Sequence, residues 1–293
     1  MMRRLLIALG LIGLMSPAFA ADYELPTLRG SDVYVPPSPA YHWAGFYGGV
    51  QVGYSLSHID FGNALGSMVS DILRSSALAA DVSNWTVLGH SSTASINYGA
   101  FVGYNFQWDE IVFGLEGNYN RVSLTRSAAD SVSRIFIDNT GAPPNTTYQY
   151  NVTVSGSSSI HITDVATLRA RAGWDAGQFL PYGFWGLALG SADVARTATV
   201  SGTRTDTTQQ VVCGPLVCGT GPVTGPPAPL LLPGPQTDAG GMVAYGYTAG
   251  LGIDVALFSH AFARAEYEYV GFAAVKGVVA NTNTFRIAAG VKF

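Results

Sequence analysis

Apolar residues recur at every second position through most of this 293-residue chain, and past residue 20 there is no apolar run of the kind a membrane-spanning helix needs, which is about 18 residues or more. Period 2 puts successive side chains on opposite faces of a strand, so each segment can be read as two faces. Phe46, Val50, Val52, Tyr54 and Leu56 oppose Tyr47, Gly49, Gln51, Gly53 and Ser55. Tyr98, Ala100, Val102, Tyr104, Phe106 and Trp108 oppose Asn97, Gly99, Phe101, Gly103 and Asn105; after a tight break at Asp109-Glu110, Ile111, Phe113, Leu115 and Tyr119 oppose Gly114, Glu116, Asn118 and Asn120. Leu168, Ala170, Ala172 and Trp174 oppose Thr167, Arg169, Arg171 and Gly173. Tyr245, Tyr247, Leu251, Ile253 and Val255 oppose Ala244, Gly246, Thr248, Gly250 and Asp254, and Ala263, Ala265, Tyr267 and Tyr269 oppose Arg264, Glu266 and Glu268. The final segment sets Phe285, Ile287, Ala289, Val291 and Phe293 against Arg286, Ala288, Gly290 and Lys292.

Eight strands are predicted, near 45–58, 93–108, 111–124, 160–174, 181–194, 242–257, 262–273 and 282–293. Each can cross a bilayer at a tilt, which takes about 9–11 residues. The facing of 181–194 does not follow from its pattern. One face is apolar and rich in aromatic residues along nearly every strand, and the other carries glycine, amides and charges of both signs. A soluble barrel would turn these faces the other way, as in the competing lipocalin-type reading; an oily exterior around a polar interior fits a bilayer. Charged residues make up 12% of the chain, about half the usual ~25%. The formal net charge is −4, and the basic face that nucleic-acid binding wants is missing.

The connections sort into two kinds. Those at 109–110, 175–180 and 258–261 are short, 274–281 is short to middling, and 59–92, 125–159 and 195–241 are long. Short turns on one side and long extracellular loops on the other are the expected asymmetry of an outer-membrane barrel. Leu65, Met68, Ile72 and Leu73 have helical spacing, predicting a short loop helix within 65–80, and 132–154 reads as an extra hairpin above the membrane.

The amino terminus reads as an export signal over 1–20: Arg3 and Arg4, an apolar stretch from Leu5 to Met15, and Ala18-Phe19-Ala20 as a small-x-small cleavage pattern. An uncleaved anchor is the alternative. Residues 21–42, with Pro26, Pro36, Pro37 and Pro39, read as an extended periplasmic tail, leaving 43–293 as the barrel.

The inward set Glu116, Arg169, Arg171, Asp254, Arg264, Glu266, Glu268, Arg286 and Lys292 is the main polar constellation. Glu116 should meet Arg169, and Glu266 or Glu268 should meet Arg286, because the strands that carry them neighbour one another at similar depth. Eight strands leave a lumen just wide enough to fill with side chains, so paired charges would plug it; a selective water-filled pore is the other reading. Cys213 and Cys218 should form a small disulfide in an oxidising compartment; a metal site would need more ligands nearby. His58, His90 and His161, near the upper strand ends or loops, could contact haem or be ordinary solvated histidines. Serine, histidine and acid occur together in 159–164, but serine is so common here that chance accounts for it, and neither enzyme activity, metal nor cofactor is expected.

Several motifs in order resemble the small OmpA-like outer-membrane proteins of alphaproteobacteria, the porin family or outer-membrane β-barrel domain. They are the leader ending Ala-Phe-Ala-Ala-Asp, the Pro-rich lead-in, Trp43-Ala44-Gly45-Phe46-Tyr47-Gly48-Gly49, Ala170-Arg171-Ala172-Gly173-Trp174, Pro181-Tyr182-Gly183 and the terminal Gly290-Val291-Lys292-Phe293. The resemblance implies an eight-stranded monomeric barrel in the outer membrane of a Gram-negative bacterium. It also implies contact with outer-membrane lipids, assembly by the barrel-assembly machinery through Phe293 and a mainly structural or surface role. The segment 195–241 is longer than such proteins usually carry, and any extracellular ligand is left open.

Overall fold

The structure, a computed structural model, describes residues 41–74, 76–214 and 218–293. The expected leader over 1–20 and nearly all of the tail expected over 21–42 lie outside the described residues. The elements are β1 (Gly45–Asp60), α1 (Gly66–Ile72), α2 (Ala79–Val82), β2 (His90–Trp108), β3 (Ile111–Ile137), β4 (Thr146–Trp174), β5 (Phe179–Cys213), β6 (Cys218–Thr224), β7 (Ala228–Pro229), β8 (Gln236–Ala256), β9 (Ala261–Phe272) and β10 (Val279–Lys292).

Eight of the strands close an antiparallel ring in the order β1, β2, β3, β4, β5, β8, β9, β10 and back to β1. Closure removes the sheet edge, so every backbone group at membrane depth can be paired within the protein. The closing pair has Tyr47 opposite Lys292 and Tyr54 opposite Phe285. The exterior set is as the alternation requires: Phe46, Val50, Tyr98, Val102, Leu115, Leu168, Tyr245, Leu251, Phe285 and Ile287 are all exposed. Between β2 and β3 the chain reverses at Asp109, which sits in the left-handed region at φ 53°.

β5 supplies the facing that the alternation left open. Leu180, Tyr182, Phe184, Ala188, Ala192 and Val194 point inward, while Trp185, Leu187 and Leu189 point outward. Both faces are apolar, so there was no contrast to read. Two of the three long connections, 125–159 and 195–241, were expected as extracellular loops, and the structure corrects this by building most of them as strand. β3 runs on to Ile137, β4 begins at Thr146 and β5 reaches Cys213, so the barrel wall continues well past the bilayer. The expected separate hairpin over 132–154 is the far end of β3 and β4, joined through 138–145. Pairing continues there because the ladder needs only backbone groups. Facing outward are Ser127, Ser131 and Ser133 on β3 and Thr199, Ser201 and Thr203 on β5, residues that water tolerates and lipid would not.

β4 changes facing part-way. Below Thr163 its odd residues point inward (Thr167, Arg169, Arg171); above it the even ones do (Ile162, Ile160, Val154, Val152). The register shifts at this point against both neighbours, between Arg121 and Leu124 on the β3 side and between Ile162 and Asp164 on the β5 side. One irregular residue exchanges the faces of everything beyond it. Here it turns a row of β-branched residues inward where the outside becomes water.

That row forms an apolar core above the membrane. Ile59 at the end of β1 and Phe61, Leu65, Met68, Val69, Ile72, Leu73, Leu78, Val82 and Leu88 from the β1–β2 connection, including α1 and α2, pack against Val152, Val154, Ile160, Ile162, Val194 and Val200. The predicted helical spacing at 65–73 thus marks the face that α1 buries. Arg196 ties this cap down: Nη1 donates to Ala64 O at 2.8 Å and to Lys276 O at 2.9 Å, and Nη2 donates to Asp238 at 2.5 Å. Lys276 Nζ reaches the other Asp238 oxygen at 2.7 Å.

Candidate functional site in the barrel lumen

Eight of the nine predicted lumen charges meet in one cluster. Arg169, Arg171, Arg264 and Arg286 face Glu116, Asp254, Glu266 and Glu268, and all eight are nearly inaccessible to solvent. Four guanidiniums balance four carboxylates. Each comes from the inward register of its strand: Glu116 on β3, Arg169 and Arg171 on β4, Asp254 on β8, Arg264, Glu266 and Glu268 on β9, and Arg286 on β10. Both expected pairs form: Arg169 Nη2 with Glu116 Oε1, and Arg286 Nη2 with Glu268 Oε2.

Ring closure adds the contacts across the lumen. Arg169 Nη1 donates to Glu266 Oε1 at 2.7 Å and to Glu268 Oε1 at 3.2 Å. Arg264 Nη1 donates to Glu116 Oε2 at 2.7 Å while its Nε donates to Asp254 Oδ1 at 2.8 Å. Arg171 Nη2 donates to Asp254 Oδ2 at 2.7 Å. Neutral donors fill the remaining carboxylate positions: Tyr47 Oη and Asn118 Nδ2 on Glu116, Tyr182 Oη on Glu266 and Thr248 Oγ1 on Glu268, all between 2.7 and 2.9 Å. Burying an ion costs several kcal/mol even after relaxation, and only this density of partners offsets it. The cations are all arginines, whose flat faces stack as their edges donate. The Arg171 guanidinium carbon lies 3.8 Å from the Tyr182 ring centre, Arg169 lies 4.1 Å from Phe184, and Arg264 lies 4.3 Å from Phe101. Inward glycines make room for the rings: a Cβ on Gly103 would stand 2.4 Å from Tyr47 Oη, and one on Gly250 2.4 Å from Phe184 Cζ.

Lys292 is the ninth predicted member and does not join. It lies at the periplasmic rim, with Nζ on the His42 carbonyl and 5.2 Å from the Tyr41 ring centre. The reason is depth: it stands opposite Tyr47, at the last rung of the closing pair.

Aromatic residues close the periplasmic end below the cluster. Trp43 enters the lumen and packs with Tyr47, Phe101, Val112, Leu180 and Phe262. Its backbone N donates to Gln107 Oε1 at 2.9 Å and its Nε1 to Gly177 O at 3.2 Å. No periodic signal pointed to Trp43, which precedes the first strand; Tyr47 and Tyr182 were legible only as members of inward rows. Above the cluster, toward the apolar cap, a cavity of about 30 Å³ is lined by Ser55, Asn97, Thr284 and Arg286 on one side and by Leu124, Ile162 and Phe272 on the other. It has room for about two waters, beside an Arg286 Nη1 that has no hydrogen-bond partner among the described residues.

The three candidate haem histidines are not gathered. His58 and His90 lie on the outer surface of β1 and β2, where Ser92 Oγ lies 2.8 Å from His58 Nδ1. His161 is two strands further round the ring, on β4, with Thr125 Oγ1 at 2.6 Å. All three lie on strands, His90 in a stretch expected as loop, and the ladder fixes His161 apart from the other two. Among the described residues no group of three or more His, Cys, Asp or Glu could hold a metal ion. Cys213 and Cys218 are joined as expected, at the end where β5 meets β6.

A closed antiparallel ring with a lipid-compatible exterior and a charged interior defines a transmembrane β-barrel. The family model for the outer membrane protein beta-barrel domain matches residues 6–293, and the chain belongs to that family. It is therefore a protein of the Gram-negative outer membrane. The 25 kDa outer-membrane immunogenic protein of Brucella ovis is 23% identical over 290 residues, covering 98% of this chain and 96% of that protein. The protein of the same description from Brucella abortus is 30% identical over 115 residues, 39% of this chain and 41% of that protein. Similar solved structures include Ail, the attachment invasion locus protein of Yersinia pestis, with 11% identity, TM-score 0.31 and coverage of 85% of this chain and 99% of that chain. Another is Neisserial surface protein A, with 14% identity, TM-score 0.35 and coverage of 85% and 98%.

Proposed function

We propose that this protein is a closed barrel with a structural and surface role, its lumen plugged rather than conducting. The observation that carries the reading is the self-neutralised cluster of four arginines and four carboxylates, buried between the aromatic floor and the apolar cap. An ion moving through would have to break several charge-assisted hydrogen bonds at once and then cross an apolar core, and both steps are costly in a low-dielectric interior. The long ladder of β3, β4 and β5 presents polar residues to the outside, which suits a surface protein, and the Brucella relatives are described as immunogenic. The working partners are the lipids of the membrane and the barrel-assembly machinery, with the chain acting as a monomer in its own membrane.

A planar bilayer containing refolded protein tests the plug. The expected trace is flat; regular conductance steps from protein shown to be folded would overturn it in favour of a narrow pore. The assembly role of Phe293 is a separate expectation. Its ring is exposed, and its backbone N donates to Phe46 O at 2.9 Å. Deleting it should lower membrane-inserted yield in cells while leaving the refolded barrel nearly as stable; normal yield would sink the assembly role.

A further inference from the structure

The apex of the extracellular ladder differs from the rest of the surface. β4 stops pairing with β5 at Thr146 opposite Thr208, and the last backbone bond on that side is Gln209 N to Asn145 O at 2.8 Å. Beyond it, among the described residues, Gln210, Val211, Val212 and Cys213 pair only with β6 on their other side. Their backbone groups on the vacated side form a free strand edge. β6 is the opposite edge of the hairpin, and it is blunted by Pro222, which has no N–H to offer. The β5 edge carries neither proline nor charge, and the Cys213–Cys218 disulfide holds it in register. Val211 is 71% exposed, and Val212 and Val223 are exposed as well.

Charge adds an independent observation. From Thr207 to Thr237 the sequence has no Asp, Glu, Lys, Arg or His, although the chain as a whole carries a formal charge of −4. β5 continues from Leu189, near the outer limit of the lipid-facing residues, to Cys213; at about 3.3 Å per residue and a tilt of roughly 40° that places the apex on the order of 60 Å above the membrane. The most prominent point of a net-negative protein is thus neutral, apolar and edged by an open strand.

We propose that this apex docks onto the same apex of a second copy of the chain held in an opposing membrane. Inverting the barrel axis about a two-fold axis sets the β5 edge of one copy antiparallel to that of the other with Val211 opposite Val211, whose N–H and C=O face the vacated side as those of Gln209 do, which is the pairing that a self-complementary edge can make. A side-by-side copy in the same membrane would present these segments parallel instead. Identical charged surfaces repel, whereas an uncharged one meets itself without penalty. A bilayer is the less suitable occupant, because hydrocarbon would leave the open N–H and C=O groups of the β5 edge without partners. The segment is short, so one contact is weak and many in parallel are needed.

The test is clustering of proteoliposomes carrying the intact barrel, followed by light scattering and by lipid-dye colocalisation with protein-free neutral vesicles. Wild-type proteoliposomes should cluster with one another and not with empty vesicles. Val211→Asp and Val211→Lys should each slow self-clustering by roughly tenfold or more through like-charge repulsion, and mixing the two populations should restore it. Heat-modifiable migration shows that each variant remains folded. Wild-type vesicles that fail to cluster, folded variants that cluster like wild type, or a mixture that stays dispersed would overturn the proposal. Capture of empty vesicles would replace it with lipid docking.

Discussion

β4 and β5 each pass through two environments, and they are built oppositely in the two. In the membrane the outside is Leu168, Trp185 and Leu187 and the inside is Arg169, Arg171 and Tyr182; above it the outside is Thr199 and Ser201 and the inside is Ile160, Ile162, Val194 and Val200. Where lipid surrounds the wall, apolar side chains on the exterior cost nothing and the interior has to be filled some other way. Water surrounds the upper wall, so apolar groups gain by leaving the exterior, at about 25 cal/mol per Å², and an ordinary core forms inside. The charge cluster therefore reflects which face the bilayer has already claimed. Its net neutrality also limits what it can do, since no unbalanced charge is left to draw an ion in.

Breaking the membrane half should be the most damaging change. Arg169→Leu leaves Glu116, Glu266 and Glu268 short of a partner they all share, and orphaning a buried charge costs about 3–5 kcal/mol. The midpoint for loss of the compact, heat-modifiable form should drop sharply, and an unchanged midpoint would show the cluster to be loosely held. In the upper half, Leu73→Ala cuts a fully buried side chain of the cap, a change of about 2–5 kcal/mol. It should raise hydrogen exchange through α1 and α2 and leave the barrel midpoint nearly unmoved if the two halves are energetically separate. A common shift in both readouts would show them to be coupled.

A single strand can carry the comparison by itself. Leu115 and Ala129 both point outward from β3. Leu115→Arg places a cation in hydrocarbon and should cost about 2–4 kcal/mol near the midplane, whereas Ala129→Arg should stay within about 0.5 kcal/mol as an ordinary surface change. Equal costs, measured by refolding titration, would place the lipid boundary wrongly. The smallest effect concerns pH. The Lys276 and Arg196 hydrogen bonds hold the Asp238 carboxyl below its usual range. Its lowered value means that the clamp contributes fully above the ordinary carboxylate range and is lost as the pH falls through the lowered value. Protection of the amides of 64–67, measured relative to their intrinsic exchange rates, should fall in acid, and Asp238→Asn should remove that pH dependence.

Much of this was readable in the chain itself. Alternation assigned the two faces of seven strands, and it paired Glu116 with Arg169 and Arg286 with the β9 glutamates, because neighbouring strands and a fixed period place those residues locally. Helical spacing at Leu65, Met68, Ile72 and Leu73 marked a buried helical face. Periodicity reports contrast between faces, and where contrast failed the sequence was silent: β5 has apolar residues on both sides, and its Thr-rich continuation past 195 looked like loop. The tertiary structure decided what depends on closure and depth. Closing the ring brought Arg169 of β4 across to Glu266 of β9, held Lys292 at the rim away from its presumed partners, and fixed His58, His90 and His161 on the outer wall. It also turned β4 over at Thr163, because a single irregular residue leaves no trace in composition yet exchanges both faces of everything that follows it.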